Sequence, residues 1–266
     1  MDRKLTLSNI RKMKADGERI ACLTAYDAGF AHLLDKAGVD IMLVGDSLGM
    51  VVQGKESTLP VTVDEMVYHS RCVSEGNTHA FVLADMPFMS YPTPEQAVTN
   101  AGRLMKEGAA HGVKLEGGRE IVPVVKRLSQ AGIPVCGHLG LLPQSVNKYG
   151  GYRVQGREPE QAKRIVEDAQ VLQEAGADML VLECVPRVLT SQIMSAVDIP
   201  VIGIGAGADC DGQVLVLYDM LGITQHELPR FVRSFMSEAD TISDAITAYV
   251  NAVKQGEFPA QEHGYD

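Results

Sequence analysis

Short, nearly continuous apolar runs recur along the whole chain, at residues 20–26 (IACLTAY), 41–46 (IMLVGD), 81–87 (FVLADMP), 112–118 (GVKLEGG), 134–140 (PVCGHLG), 178–186 (DMLVLECVP), 200–207 (PVIGIGAG) and 213–219 (QVLVLYD). Each gathers Val, Ile, Leu, Cys or Met and then breaks into a polar or glycine-rich turn. Runs without alternation predict parallel strands covered on both faces. Helical patterns lie between them. Over residues 94–109, Ala97, Val98, Ala101, Leu104 and Met105 fall at helical spacing, behind Thr93 as N-cap, Pro94 at the first helical position and Gln96 placed to complete a capping box. Residues 160–176 repeat the pattern with Ala162, Ile165, Val166, Ala169 and Leu172, and Gly176 ends that helix.

A weak internal repeat joins the two kinds of element. AGVDIMLVGD (37–46), AGIPVCGHLG (131–140) and AGADMLVLECV (175–185) each run from an Ala-Gly helix end directly into a strand. Eight such units in 266 residues give about 33 residues each, the size of a (β/α)8 unit. The expected fold is therefore α/β, a single TIM-barrel domain over residues 1–266. An open, doubly wound parallel sheet fits the same periodicity. No Pro/Ser-rich linker or composition shift divides the chain.

Composition narrows the function. With 45% hydrophobic residues the chain can bury a full core and is not disordered. A formal charge of −10, 5% aromatic residues and no Trp argue against a nucleic-acid partner. The cysteines Cys22, Cys72, Cys136, Cys184 and Cys210 are odd in number and lack C-x-x-C spacing, which predicts reduced thiols in a cytoplasmic protein. The N-terminal stretch has no apolar core of a signal peptide, and no run approaches the ~20 apolar residues of a membrane span.

In a parallel α/β fold the C-terminal strand ends form the ligand face. Here they carry Asp46-Ser47, Asp85, Lys114-Leu115-Glu116, His138 and Glu183. One acid at a strand end reads as a helix cap, whereas acids ending four strands at one rim do not. Two like charges ~4 Å apart cost ~4 kcal/mol at an effective dielectric of ~20, so the cluster needs neutralising. Lys114 supplies one positive charge and a hard divalent cation, Mg²⁺ first, suits the all-oxygen remainder. Zinc lacks a suitably spaced Cys/His set.

Lys114 and Glu116 are two apart on one strand and share a face. Neighbouring carboxylates would keep Lys114 protonated, which favours an electrostatic role over a Schiff base. His138 reads as a general base, as a residue supporting those that touch metal or substrate, or as a neutral imidazole satisfied in the barrel. Glu183 follows the apolar run MLVL, an environment expected to raise its pKa and suit it to proton abstraction; a buried ion-pair partner is the alternative. GIGAG (203–207) lacks the order of a dinucleotide fingerprint and reads as a tight βα turn. Residues 143–157 read as a lid or cofactor wall, or as a solvated loop.

The motifs VGDSLGM (44–50), QGKESTLPVT (53–62), LADMPFMSY (83–91), VKLEGG (113–118), PVCGHLGLLPQSVN (134–147), GGYRVQGR (150–157), LVLECVP (180–186) and PVIGIGAG (200–207) carry a resemblance over essentially the whole chain. The chain resembles the ketopantoate (3-methyl-2-oxobutanoate) hydroxymethyltransferase family. That resemblance implies a (β/α)8 barrel of the phosphoenolpyruvate/pyruvate type, assembled as a homodecamer. It implies transfer of a hydroxymethyl group from 5,10-methylenetetrahydrofolate to 3-methyl-2-oxobutanoate through a Mg²⁺-stabilised enolate. It also implies Mg²⁺ ligation by Asp46, Asp85 and Glu116, substrate contacts from Asp46, Ser47, Asp85 and Lys114, and Glu183 as proton acceptor. No folate-binding residues follow from it, and loop 143–157 shows no clear basic groove for a glutamate tail. Two rival readings share part of this chemistry: a C–C lyase of the isocitrate lyase or phosphoenolpyruvate mutase type, and a non-catalytic binder of oxo acids. The lyases carry a longer gating loop after strand 4, which REIVPVVKRL (119–128) leaves no room for. A binder would not need a base at Glu183.

Overall fold

The structure is a computed structural model that describes residues 4–224 and 227–266. All eight apolar runs form strands: β1 Ile20–Thr24, β2 Ile41–Val44, β3 Phe81–Asp85, β4 Gly112–Glu116, β5 Val135–Gly140, β6 Met179–Glu183, β7 Val201–Ile204 and β8 Gly212–Leu215. They are parallel and pair in sequence order, and β8 returns to β1, so the sheet closes into a barrel. The open alternative is thereby excluded. Every strand residue is buried except Glu183, which reaches the rim.

Helices cover the outside. Pro94–Lys106 buries Ala97, Ala101 and Leu104 against the sheet, as its period requires. Its cap differs in one detail from expectation: Thr93 accepts from Gln96 N, but the Gln96 side chain takes the Thr93 hydroxyl rather than its backbone N–H. The reciprocal capping box forms instead at Thr62 and Glu65, opening the helix Val63–Gly76. The helix Pro159–Glu174 ends just before Gly176, whose φ of +102° turns the chain toward β6.

Two departures from eight equal units stand out. β7 and β8 are joined by residues 205–211 with no helix between them. The run 213–219 also divides, β8 ending at Leu215 and a short helix, Leu217–Met220, following. The path from β4 into the helix Val122–Gln130 holds only a short 3-10 turn, Arg119–Ile121, so no gating insertion is present.

The end of the barrel where strands begin is tied down by the helix Leu7–Asp16. Lys14 Nζ reaches Asp211 at 2.9 Å and Ile199 O at 3.0 Å, and Arg11 pairs with Asp178. Lys254 closes on Asp40 at 2.7 Å on the same side. Stabilising contacts thus gather at the bottom, and the opposite rim is left to carry chemistry. All five cysteines are free thiols. Among the described residues no helix is long and apolar enough to cross a membrane.

Candidate active site

Strand register brings the candidate residues together. Asp85 lies beside Lys114 across the β3–β4 pair, and Glu116 lies beside His138 across β4–β5. Residues two apart on a strand share a face, so Lys114 and Glu116 both point into the barrel. Lys114 Nζ stands 3.0 Å from Asp85 Oδ1 and 3.1 Å from His138 Nδ1. His138 Nδ1 is 3.6 Å from Glu116 Oε1, and His138 Nε2 is 3.2 Å from Glu183 Oε2. Asp46 follows β2 through Gly45, and its backbone N–H donates to Asp85 Oδ2 at 3.1 Å. A Cβ at position 45 would meet Ser47 Oγ at 2.7 Å and lie 3.6 Å from Asp85 Oδ2, so glycine keeps this part of the floor open. Ser47 shares a hydrogen bond with Tyr26 at 2.9 Å. All seven residues singled out in the sequence line one cavity of about 790 Å³ at the barrel mouth.

The floor is buried and rich in ionisable groups. Asp46, Asp85, Lys114 and Glu116 are 3–6% exposed. Burial, then the charges of Asp85 and Glu116, push the Asp46 carboxyl well above the usual range. Burial likewise lifts Glu116 to about 7. Burial acts to lower the Lys114 pKa, but Asp85, Glu116 and Asp46 outweigh it and raise that pKa, so the amine stays an ammonium. A Schiff-base role is disfavoured by the same balance. His138 is held neutral by burial and by the Lys114 charge. A protonated lysine facing Nδ1 leaves the imidazole proton on Nε2, toward Glu183.

Glu183 occupies a different setting from the other acids. Its side chain is 15% exposed at the lip, with His138 below it. Cys184, the next residue, has φ +48°, a left-handed conformation that favours glycine and costs of order 1 kcal/mol in other residues. Cys184 N–H donates to Ile204 O and its carbonyl accepts from Gln155 N–H, both at 2.9 Å, which holds the bend and fixes where Glu183 points. Gly140, at φ +91°, allows the end of β5 to approach; a Cβ there would sit 2.1 Å from Glu183 O.

Gln144 was not foreseen from the sequence and ties the floor together. Its Nε2 donates to Asp46 Oδ2 at 2.8 Å and to Met86 O at 3.0 Å. Its backbone N–H donates to Glu116 Oε2 at 3.0 Å, and its Oε1 accepts from Tyr91 OH at 2.6 Å. Beyond Gln144, residues 150–157 form a wall rather than a free loop: Tyr152, Arg153 and Val154 line the cavity, and Gln155 is buried.

Three buried carboxyl groups crowd around one ammonium, and every donor among the three is an oxygen. That chemistry fits a hard divalent cation. Asp85 Oδ1 and His138 Nε2 are also buried without an aligned hydrogen bond, so the carboxylate oxygen can take up a cation and the Nε2–H can donate to an oxygen-bearing ligand. Among the described residues no group of three such side chains converges on one point as a ready-made metal site. Gln144 and Lys114 hold several of the oxygens instead.

The sequence model of the family described as "Ketopantoate hydroxymethyltransferase" matches residues 4–261. A 3-methyl-2-oxobutanoate hydroxymethyltransferase of Nitrosococcus oceani is 63% identical over 98% of this chain and 99% of its own. One of Halorhodospira halophila is 59% identical over 98% and 95%. Among solved structures, a putative phosphonomutase from Burkholderia cenocepacia J2315 superposes with a TM-score of 0.61 at 15% identity, over 80% of this chain and 95% of that one. A phosphonopyruvate hydrolase in complex with oxalate and Mg²⁺ does so with a TM-score of 0.62 at 13% identity, over 80% and 81%. At these identities the structural likeness speaks for the barrel alone.

Proposed function

Since the chain belongs to the ketopantoate hydroxymethyltransferase family, we propose that its barrel mouth converts 3-methyl-2-oxobutanoate and 5,10-methylenetetrahydrofolate to ketopantoate, with Glu183 as the base and Asp46, Asp85 and Glu116 as the seat of Mg²⁺. The activity is that of a hydroxymethyltransferase, the ketopantoate-forming step of pantothenate biosynthesis. The reading of the site rests on one observation above all: a partly exposed carboxylate, Glu183, faces a buried cationic and carboxylate floor across a single imidazole.

The substrate's C3–H becomes acidic only if negative charge moves onto the keto oxygen. A Mg²⁺ held by the three carboxylates would supply Lewis-acid charge to the keto and carboxylate oxygens. Lys114 brings a fixed ammonium to the same place, buried and already oriented by Asp85 and His138. Asp46 N–H and the Ser47 hydroxyl lie on the same wall. Glu183 takes the C3 proton, and His138, with its Nε2 proton toward Glu183, holds that side chain in place. C3 then bonds the donor's methylene carbon, both C–N bonds of that carbon break, and water supplies the new hydroxyl. The proton collected by Glu183 and the one left by water go to the two folate nitrogens.

The direct test is exchange of the C3 hydrogen in D₂O with Mg²⁺ and no folate, followed by addition of 5,10-methylenetetrahydrofolate. Exchange and then ketopantoate are expected; no ketopantoate would sink the transferase reading. Two further outcomes follow from the floor. Gln144→Leu leaves an Asp46 oxygen and a Glu116 oxygen without their donor alignment, and is expected to weaken Mg²⁺ 10–100-fold, read by titration calorimetry.

The second outcome concerns pH. The folded pKa of Glu116, about 7, lies above its ordinary 4.5. Without a cation, the stability this group contributes is full below about 4.5 and lost as pH rises through 7. A bound dication reverses that loss, because it binds the carboxylate form. The gain in melting temperature from Mg²⁺ over EDTA should therefore be larger at pH 8 than at pH 5.5. An equal gain at both would place the cation away from Glu116.

A further inference from the structure

We propose that the outer half of the cavity seats the folate donor, with Lys55 and Arg153 holding its glutamate carboxylates and Tyr152, against Met50, bearing its aromatic body. This rests on the functional reading above and adds the residues that would recognise the second substrate.

Size is the first argument. A cavity of about 790 Å³ lies within the range that accepts drug-sized ligands, roughly 300–1,000 Å³. An oxo acid of eight heavy atoms fills only a small part of it, since even a water takes ~30 Å³ in the liquid. Something much larger than 3-methyl-2-oxobutanoate is accommodated.

The lining divides in two. Beside the ionisable floor the lining includes Met50, Val51, Tyr152, Leu228, Phe231 and Tyr265. Tyr152 remains 51% exposed, with its hydroxyl 3.6 Å from Met50 Sδ. That contact fastens the wall of residues 150–157 to the short helix Leu48–Val51. An exposed aromatic face at a cavity mouth, held by one edge, is suited to a flat ring.

Charge is the third argument. Lys55 and Arg153 line the cavity, and neither forms an ion pair with a described side chain. Glu56, Asp219 and Glu227 line it as well, Asp219 already accepting from the Thr224 hydroxyl. A chain carrying 34 acidic residues against 24 basic ones thus keeps two exposed cations in the lining of this pocket. A reduced folate has the matching polarity: an aminopyrimidine edge rich in N–H donors at one end and glutamate carboxylates at the other. Carboxylates receive the first and cations the second. Both cations also lie in motifs that the floor chemistry leaves unused, QGKESTLPVT and GGYRVQGR.

The test is a binding cycle by titration calorimetry on the full chain with Mg²⁺. Tetrahydrofolate and tetrahydropteroate, which lacks the glutamate, are titrated into wild type, Lys55→Ala, Arg153→Ala and the double variant. Each single variant is expected to weaken tetrahydrofolate about fivefold, the range of a rim ion pair, and the double about twentyfold. Tetrahydropteroate affinity should not change in any of the three, and the melting temperature reports that the fold is intact. Tyr152→Ala should weaken both ligands alike, up to about tenfold. Equal tetrahydrofolate affinity in wild type and double variant would overturn the assignment, as would equal losses for both ligands. If wild type still exchanges C3 hydrogen and forms ketopantoate when the cycle shows no such difference, the subsite alone falls and the functional reading stands.

Discussion

Glu183→Gln is expected to slow deuterium exchange at C3 of 3-methyl-2-oxobutanoate by on the order of 10³, the weight of a positioned general base. The affinity for the oxo acid should stay within about threefold. The separation follows from the geometry. Glu183 stands at the lip, 15% exposed, whereas the groups assigned to the oxo acid and its metal form the floor on β2 to β4. Glutamine keeps the shape and can still face His138 Nε2, so the site should not collapse around it. Exchange monitored by proton NMR gives the rate, and calorimetry gives the affinity. Exchange that persists in the variant would remove Glu183 as the base.

The second large effect is expected from Lys114→Met. Removing one partner of a buried charge cluster typically costs about 3–5 kcal/mol, because the opposite charges stay behind without compensation. Asp46 and Glu116 already have raised pKa values, so one of them can take up a proton when the ammonium is lost. That relief places the expected loss near the lower end, about 3 kcal/mol, in urea unfolding at pH 8 without metal. Adding Mg²⁺ should recover part of it, since a ligand that binds only the folded state stabilises that state. Turnover should stay low in either condition, because a methionine brings no charge to the developing enolate oxygen. A variant as stable as wild type in EDTA would show that carboxyl protonation alone neutralises the floor.

Much of this site can be read from strand parity. Lys114 and Glu116 are two apart, Asp85 and Glu183 each end a run, and a closed parallel barrel gathers such ends on one rim. Gln144 could not be read the same way. It sits in a turn after β5, and its partners Asp46 and Met86 are 98 and 58 positions away, brought near only by closure of the barrel. An uncharged side chain in a loop leaves no periodic trace. Tyr91 is hidden for the same reason. The missing helix between β7 and β8 did leave a trace, since only a few residues separate those two runs, but dividing the length into eight equal units conceals it. Lys55 and Arg153 carry no strand-end signal either, and only the cavity shows that they face the same space.

The bend at Cys184 bears on how this enzyme could be blocked. The thiol lies against the cavity, one residue from the base, and would draw the attention of anyone designing a covalent inhibitor. Yet burial and the Glu183 charge keep it protonated, with a pKa raised far above that of a free thiol. An oxo-acid mimic armed with a Michael acceptor or chloroacetyl group would find almost no thiolate to trap. Reversible compounds that span the anionic floor and the aromatic wall have more to work with there than electrophiles do.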